Sequence, residues 1–498
     1  MTNNIDEIVK AGLSRLNSSK KLPVNRGDKL FVDRTYCLRE TLPKQLYGKS
    51  FVYSEIDEVE ATVESDGFVV AITPSNFTEI QRALRKNGFT TVIERDEPIG
   101  FHPIGATLMT ETVTYYAKYC RCGERLSFSD KWVILIGESD DEYYQYNWVK
   151  TSASLLTGDA LNGYDVKSRL WHGIPSIERT KGGRIYSSYG SGNDCEPRLD
   201  NYVVFSYSDD GEKWKEFCVA VHPDKHDSRV FDASLWIDPL DRLWLFWSQA
   251  CEHEDGRMGV WFVRIDNPDD GIDNIIEKIK EATPKRIVDG IKLNKPVVLS
   301  DGSWMFASVN VACDELDNIC VSVDDGESWV VRSSPEVNGC QHADEPMILE
   351  VEKGRLKTFV RSTDGTGIRV IESSDNGYTW TKSVDSGLDG PCSRFHIRRL
   401  SSGKVLLINH YAFTGRSHLT AMLSTDNGQT FPYRMLLDKR GGVSYPDAVE
   451  RDGRIYLTYD YDRNKTGEIL YTSFTEEEIM RNDRLDRSRI TVITKNPK

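Results

Sequence analysis

The chain has 498 residues, with 63 basic against 77 acidic side chains and a formal net charge of −14. At 39% hydrophobic and 10% aromatic it is a globular composition, long enough to bury most of its apolar surface. The acidic balance argues against nucleic acid as a partner, and no stretch approaches the ~20 apolar residues of a membrane span. In chain order, MTNNIDEIVKAGLSRL reads as a short amphipathic helix without the apolar core or cleavage site of a secretory leader. From 28 to 150, strand-like runs (KLFVD, YCLRE, FVVAIT, TVTYYAKY, KWVILIG) alternate with turns. One helix is expected at about 76–87, closed by Gly88. Residues 1–150 thus read as a small β-rich domain, and the acidic, tyrosine-rich run Glu138–Tyr146 as the way into a linker.

Beyond residue 165 the chain repeats itself. Ser322-Val-Asp324-Asp-Gly326-Glu-Ser-Trp329 recurs at Ser373–Trp380 and Ser424–Phe431, each 51 residues after the last. Tyr207-Ser-Asp209-Asp-Gly211-Glu-Lys-Trp214 looks like a copy lacking the first serine, and Asp266–Gly271 like a decayed one. Asp and Asn-Gly supply the hydrogen bonds and positive φ of a hairpin turn, so the motif is structural. A second repeat, a turn followed by a β-branched and aromatic strand, begins at Gly183, Asp241, Gly302, Gly354, Gly403 and Gly453. Six units of this length predict an all-β fold: a six-bladed β-propeller over 165–495 behind the small N-terminal domain.

The ten cysteines form no CxxC pair, and Cys120-Arg-Cys122 reads as two ordinary thiols. Reduced thiols in a cytoplasmic setting are the expectation. His396, His410 and His418 fit no HExxH spacing and read as framework, so neither metal nor cofactor is expected.

The turn motifs and the six-unit count resemble the sialidase (neuraminidase) superfamily over roughly 170–475. The resemblance implies a glutamate and an arginine at Glu345 and Arg361, in Asp344-Glu345-Pro346 and GRLKTFVR. It implies a further arginine at Arg416, a nucleophilic tyrosine at Tyr445 in Ser444-Tyr445-Pro446-Asp447, and an acid/base aspartate at Asp194, with Glu196 competing. One departure stands out: the family's Arg-Ile-Pro is here Gly173-Ile174-Pro175. Arg198, Lys295 or Arg394 is the expected replacement cation, and Gly173 is expected to leave room for a bulkier sugar substituent.

The chemistry of such a set is coherent. A carboxylated sugar repels a carboxylate nucleophile, whereas a tyrosine hydroxyl activated by a glutamate does not. Guanidinium forks recognise a planar carboxylate bidentately, and an aspartate can protonate the leaving oxygen. The expected function is a retaining, sialidase-like exo-glycosidase for a terminal acidic sugar, with a carbohydrate as partner. The alternatives are a hydrolase or lyase of uronate-containing polysaccharides and a propeller that binds carbohydrate without catalysis.

Overall fold

The computed structural model describes residues 5–18, 21–23, 29–31, 34–38, 46, 49–75, 77–103, 110–129, 132–138, 152–193, 195–198, 200–222, 229–250, 259–291, 294–309, 317–335, 343–362, 367–412 and 415–497. Two compact units result, one of residues 1–151 and one drawn from the chain beyond. In the first, an eight-stranded antiparallel sheet is centred on Gly67–Pro74 and Thr110–Cys120, with a three-stranded sheet of Leu16–Asn17, Val59–Val63 and Arg125–Phe128. The helix Thr78–Lys86 buries Ile80 and Leu84, one turn apart on a single face, and ends where Gly88 adopts φ +86°. The short helix Ile5–Ala11 buries Ile5 and Ile8, three residues apart and so also on one face.

The second unit is a propeller of six antiparallel sheets. Each blade begins with an inner strand: Trp171–Arg179, Arg229–Ile237, Val297–Val298, Ala343–Glu352, His396–Arg399 and Val443–Arg451. The second strands, Ile185–Gly192, Leu243–Ala250, Trp304–Val309, Arg355–Ser362, Val405–His410 and Arg454–Tyr461, are the six hydrophobic runs of the sequence repeat. Their side chains are buried on both faces for most of their length, because each blade is packed between two others. Blade 1 carries a fifth, outermost strand, Ser154–Leu156. The ring closes where Asp460 of blade 6 accepts from the Ile174 N–H of blade 1 at 2.9 Å.

Antiparallel pairing sorts the connections by end. Inner strands start, and second strands finish, at one end of the propeller; third strands finish at the other, where the Asp-Gly turns lie. In three turns the geometry repeats closely: Ser424 Oγ donates to Asp426 Oδ1 and accepts from Gly428 N–H, while Asp426 also accepts from Thr430 N–H and Oγ1. The turn at 207–214 differs from expectation. Ser208, bonded to Asp210 and to Gly211 N–H, is its leading serine, so the turn is one residue shorter rather than lacking the serine. Nor is Asp266–Gly271 a decayed copy. Asp269 accepts from Gly182 N–H at 2.8 Å, and the chain then enters a helix, Ile272–Glu281, whose Ile275 and Ile279 are buried.

Candidate functional site

Four inner strands carry the same irregularity near their first residues. Register shifts fall at Gly173/Ser176, Phe231/Ser234, Asp344/Met347 and Ser444/Asp447. Inside each sits a non-glycine residue with positive φ: Ile174 (+56°), Asp232 (+47°), Glu345 (+55°) and Tyr445 (+53°). A bulge re-aims a side chain that the pleat would otherwise send into the blade. A β-branched or bulky residue in this conformation costs about 1–3 kcal/mol and persists only where its surroundings impose it. Three of the four precede proline, which ordinarily favours extended backbone at that position.

Around Tyr445 the site builds up from three blades. Arg361 ends the second strand of blade 4, paired with Asp344. Its Nη1 donates to Glu345 Oε1 at 2.8 Å and to the Tyr445 hydroxyl at 2.7 Å. Arg416, between the second and third strands of blade 5, donates from Nη2 to the Cys392 carbonyl at 3.0 Å, and its Cζ lies 5.2 Å from the Tyr445 ring centroid. Burial pushes the Tyr445 hydroxyl pKa well up. Arg361, Arg463 and Arg416 pull against that rise, while Glu345 adds to it.

The remaining expected residues fall elsewhere. Lys295 and Arg394 lie deeper, on internal carboxylates and carbonyls. The Lys295 ammonium sits 2.9 Å from Asp447 and 3.1 Å from Glu178, and donates to the Leu235 carbonyl. Arg394 is fully buried, donating to Asn294 Oδ1 and the Pro175 carbonyl with Asp447 at 3.3 Å. Burial alone would raise the Asp447 pKa; Lys295, His396 and Arg394 hold it well below the ordinary carboxylate range. Arg198 is exposed. Asp194 lies outside the described residues. Glu196, its competitor, forms an ion pair with Arg229 at 3.3 Å.

Sequence reasoning missed two mouth residues. Asp232 occupies in blade 2 the bulge position that Glu345 and Tyr445 hold in blades 4 and 6, partly buried. Arg463 follows the second strand of blade 6, much as Arg361 ends that of blade 4. Its Nε donates to Asp460 Oδ2 at 2.7 Å, and its Cζ lies 3.8 Å from the Tyr445 ring centroid. This arginine overturns the expected vacancy at Gly173. A Cβ there would lie 2.9 Å from Arg463 Nε, 3.0 Å from its Cδ and 3.1 Å from Trp171 Cζ2. The space is occupied.

A cavity of about 200 Å³ at this end of blade 1 is lined by Asn193, Asp200, His222 and the edge-on pair Tyr164–Tyr202. The larger cleft, about 740 Å³ in the N-terminal unit, is lined by Glu55, Glu58 and Glu60 with Arg125, a poor surface for an anion. Among the described residues, no group of three or more His, Cys, Asp or Glu is placed to hold a metal. Nor is any helix among them long and apolar enough to cross a membrane.

The BNR repeat-like domain profile matches residues 183–457, more than half of the chain. The chain belongs to the BNR repeat-like family. Among solved structures, the Hadza microbial sialidase Hz136 is 15% identical with a TM-score of 0.52, covering 92% of this chain and 99% of that one. A Dyadobacter fermentans protein described as of unknown function is 18% identical (TM-score 0.49; 60% and 92% covered). A leech intramolecular trans-sialidase is 12% identical (TM-score 0.49; 95% and 99% covered). At such identities the likeness speaks to fold: the BNR family member has a sialidase-type propeller. No curated protein sequence matches the chain.

Proposed function

We propose that this BNR-family protein is a retaining exo-glycosidase that removes a terminal acidic sugar. The observation that carries the reading is the Tyr445 hydroxyl and Glu345 carboxylate sharing one guanidinium nitrogen of Arg361. Arg361, Arg416 and Arg463 bring three guanidiniums around Tyr445. In a chain of net charge −14 these guanidiniums are the local attraction for an anionic substrate.

In the proposed reaction the guanidiniums hold the sugar carboxylate and Glu345 takes the Tyr445 proton as the phenolic oxygen bonds to the anomeric carbon. The glycosidic C–O bond breaks, and Asp194 gives its proton to the departing oxygen. Water then attacks the glycosyl-tyrosine, losing a proton to Asp194, while Glu345 returns the first proton to Tyr445. Two displacements at one carbon retain its configuration. The neighbouring guanidiniums lower the cost of the phenolate character that develops on Tyr445.

A panel of chromogenic sialosides, uronides and neutral glycosides, run on the wild type and on Tyr445→Phe, tests this. Turnover of acidic glycosides that falls by about a thousandfold or more in the variant is expected. Neutral glycosides turned over as well as acidic ones, or a Tyr445→Phe enzyme of undiminished rate, would refute it.

A further inference from the structure

The glycine at 173 removes a side chain from blade 1, and blade 6 puts one back. Arg463 reaches toward Gly173 so closely that any Cβ there would have to displace its Nε and Cδ. It is held from behind by Asp460, which also accepts from the Ile174 N–H, so the anchoring carboxylate ties the arginine to the backbone next to Gly173. Its guanidinium lies against the Tyr445 ring, and its Nη2, buried, has no hydrogen-bond partner. The side chain is only 14% exposed. A buried guanidinium nitrogen without an acceptor is costly unless an acceptor arrives with a ligand.

We propose that Arg463 is the third guanidinium of the substrate-carboxylate clamp, working with Arg361 and Arg416, and that Gly173 is required to make its place. The proposal rests on the acidic-sugar reading above and adds a specificity-determining residue to it. Arg361 and Arg416 come from blades 4 and 5, and Arg463 approaches from blade 6 over the nucleophile's ring. The anion is therefore gripped next to Tyr445. With the space opposite Gly173 filled, Gly173→Arg should not improve use of an acidic sugar, because its side chain and that of Arg463 would compete for one space.

The test separates binding from turnover. Calorimetric affinities are measured for 2-deoxy-2,3-didehydro-N-acetylneuraminic acid, its methyl ester, and the corresponding unsaturated glucuronic acid and ester. The proteins are the wild type, Arg463→Ala, Arg463→Lys, Gly173→Arg and Gly173→Arg/Arg463→Gly. For whichever acid binds, Arg463→Ala should weaken the acid roughly ten- to a hundredfold and its ester little, since one charged hydrogen-bonding fork is lost. Arg463→Lys should recover part of the loss, as a charge without the fork. Gly173→Arg alone should weaken the acid, and the double variant should regain acid-over-ester preference. Equal losses for acid and ester would assign Arg463 to positioning Tyr445 and overturn the proposal, as would unchanged acid affinity in Arg463→Ala or tighter binding by Gly173→Arg. A wild type with no preference for acid over ester overturns it too. A wild type that binds the acid through Arg463 yet turns over no acidic glycoside leaves the clamp standing and defeats the hydrolase reading alone.

Discussion

Tyr445, Glu345 and Ile174 each hold a backbone conformation that their own side chain and the following proline oppose. Nothing in the local sequence announces such a geometry; it is imposed by the register shift in the inner strand. The resemblance nonetheless singled out Glu345, Arg361, Arg416 and Tyr445 by the order of residue types between the turns, and the fold gathers these four at one mouth. Lys295 and Arg394 were equally plausible cations by sequence. What separates them from the mouth arginines is that internal carboxylates and carbonyls take up their hydrogen bonds, and those partners depend on which blades meet at the axis. Arg463 was invisible for the opposite reason: it fills a position vacated in blade 1 from a blade almost 300 residues later. Lys295 provides a test at this scale. It neutralises Asp447 and Glu178 in the interior, so Lys295→Met should destabilise the protein by about 3–5 kcal/mol by stranding buried carboxylates. Urea denaturation measures this, and a loss below ~1 kcal/mol would contradict the ion-pair account.

At the scale of elements, the second strand of every blade was readable because it starts at a local signal, a turn followed by a β-branched and aromatic run. The helix Ile272–Glu281 was not read. Its Ile272, Ile275, Ile276 and Ile279 have helical spacing, but the preceding Asp-Asp-Gly falls where the repeat count puts a turn and masks the helix start. The first turn differs from the others for a related reason: its Asp-Gly pair sits one residue nearer the serine, and the hydrogen bonds select Ser208 and Asp210. These turns lie at the propeller end opposite the mouth. Ser424→Ala, which strands the buried Gly428 N–H, should cost about 1–2 kcal/mol in thermal or urea unfolding. Because the turn is remote from the mouth, affinity for the acidic probe should stay within about twofold. A large change in affinity at unchanged stability would mean that the turns are not merely structural.

For the molecule as a whole, packing six blades around an axis buries histidines as well as tryptophans. Burial lowers the His172 pKa to about 3 and that of His410 to about 4, with Arg169 and Arg416 respectively acting in the same direction. Both are neutral in the folded protein, whereas the unfolded chain takes up these protons below about pH 6.5. The unfolded state therefore binds more protons, and stability falls as pH drops from about 6.5 toward 4. Each histidine should contribute a loss of about 2 kcal/mol by pH 5. The melting temperature should be lower at pH 5 than at pH 7, with a smaller drop in His172→Phe. A pH-independent melting temperature would contradict the buried neutral assignment. The same packing makes one mouth out of residues from blades 4, 5 and 6, Tyr445 among them. The most direct measurement is to react the protein with a 2,3-difluorinated sialyl fluoride and a 5-fluorinated uronosyl fluoride, substrates whose glycosyl-enzymes break down slowly, and to map the adduct by mass spectrometry of peptides. A glycosyl mass on the peptide that contains Tyr445, absent from Tyr445→Phe, is the predicted result. An adduct on Glu345 or another carboxylate, or acidic-glycoside turnover that proceeds with no adduct on Tyr445, would contradict it.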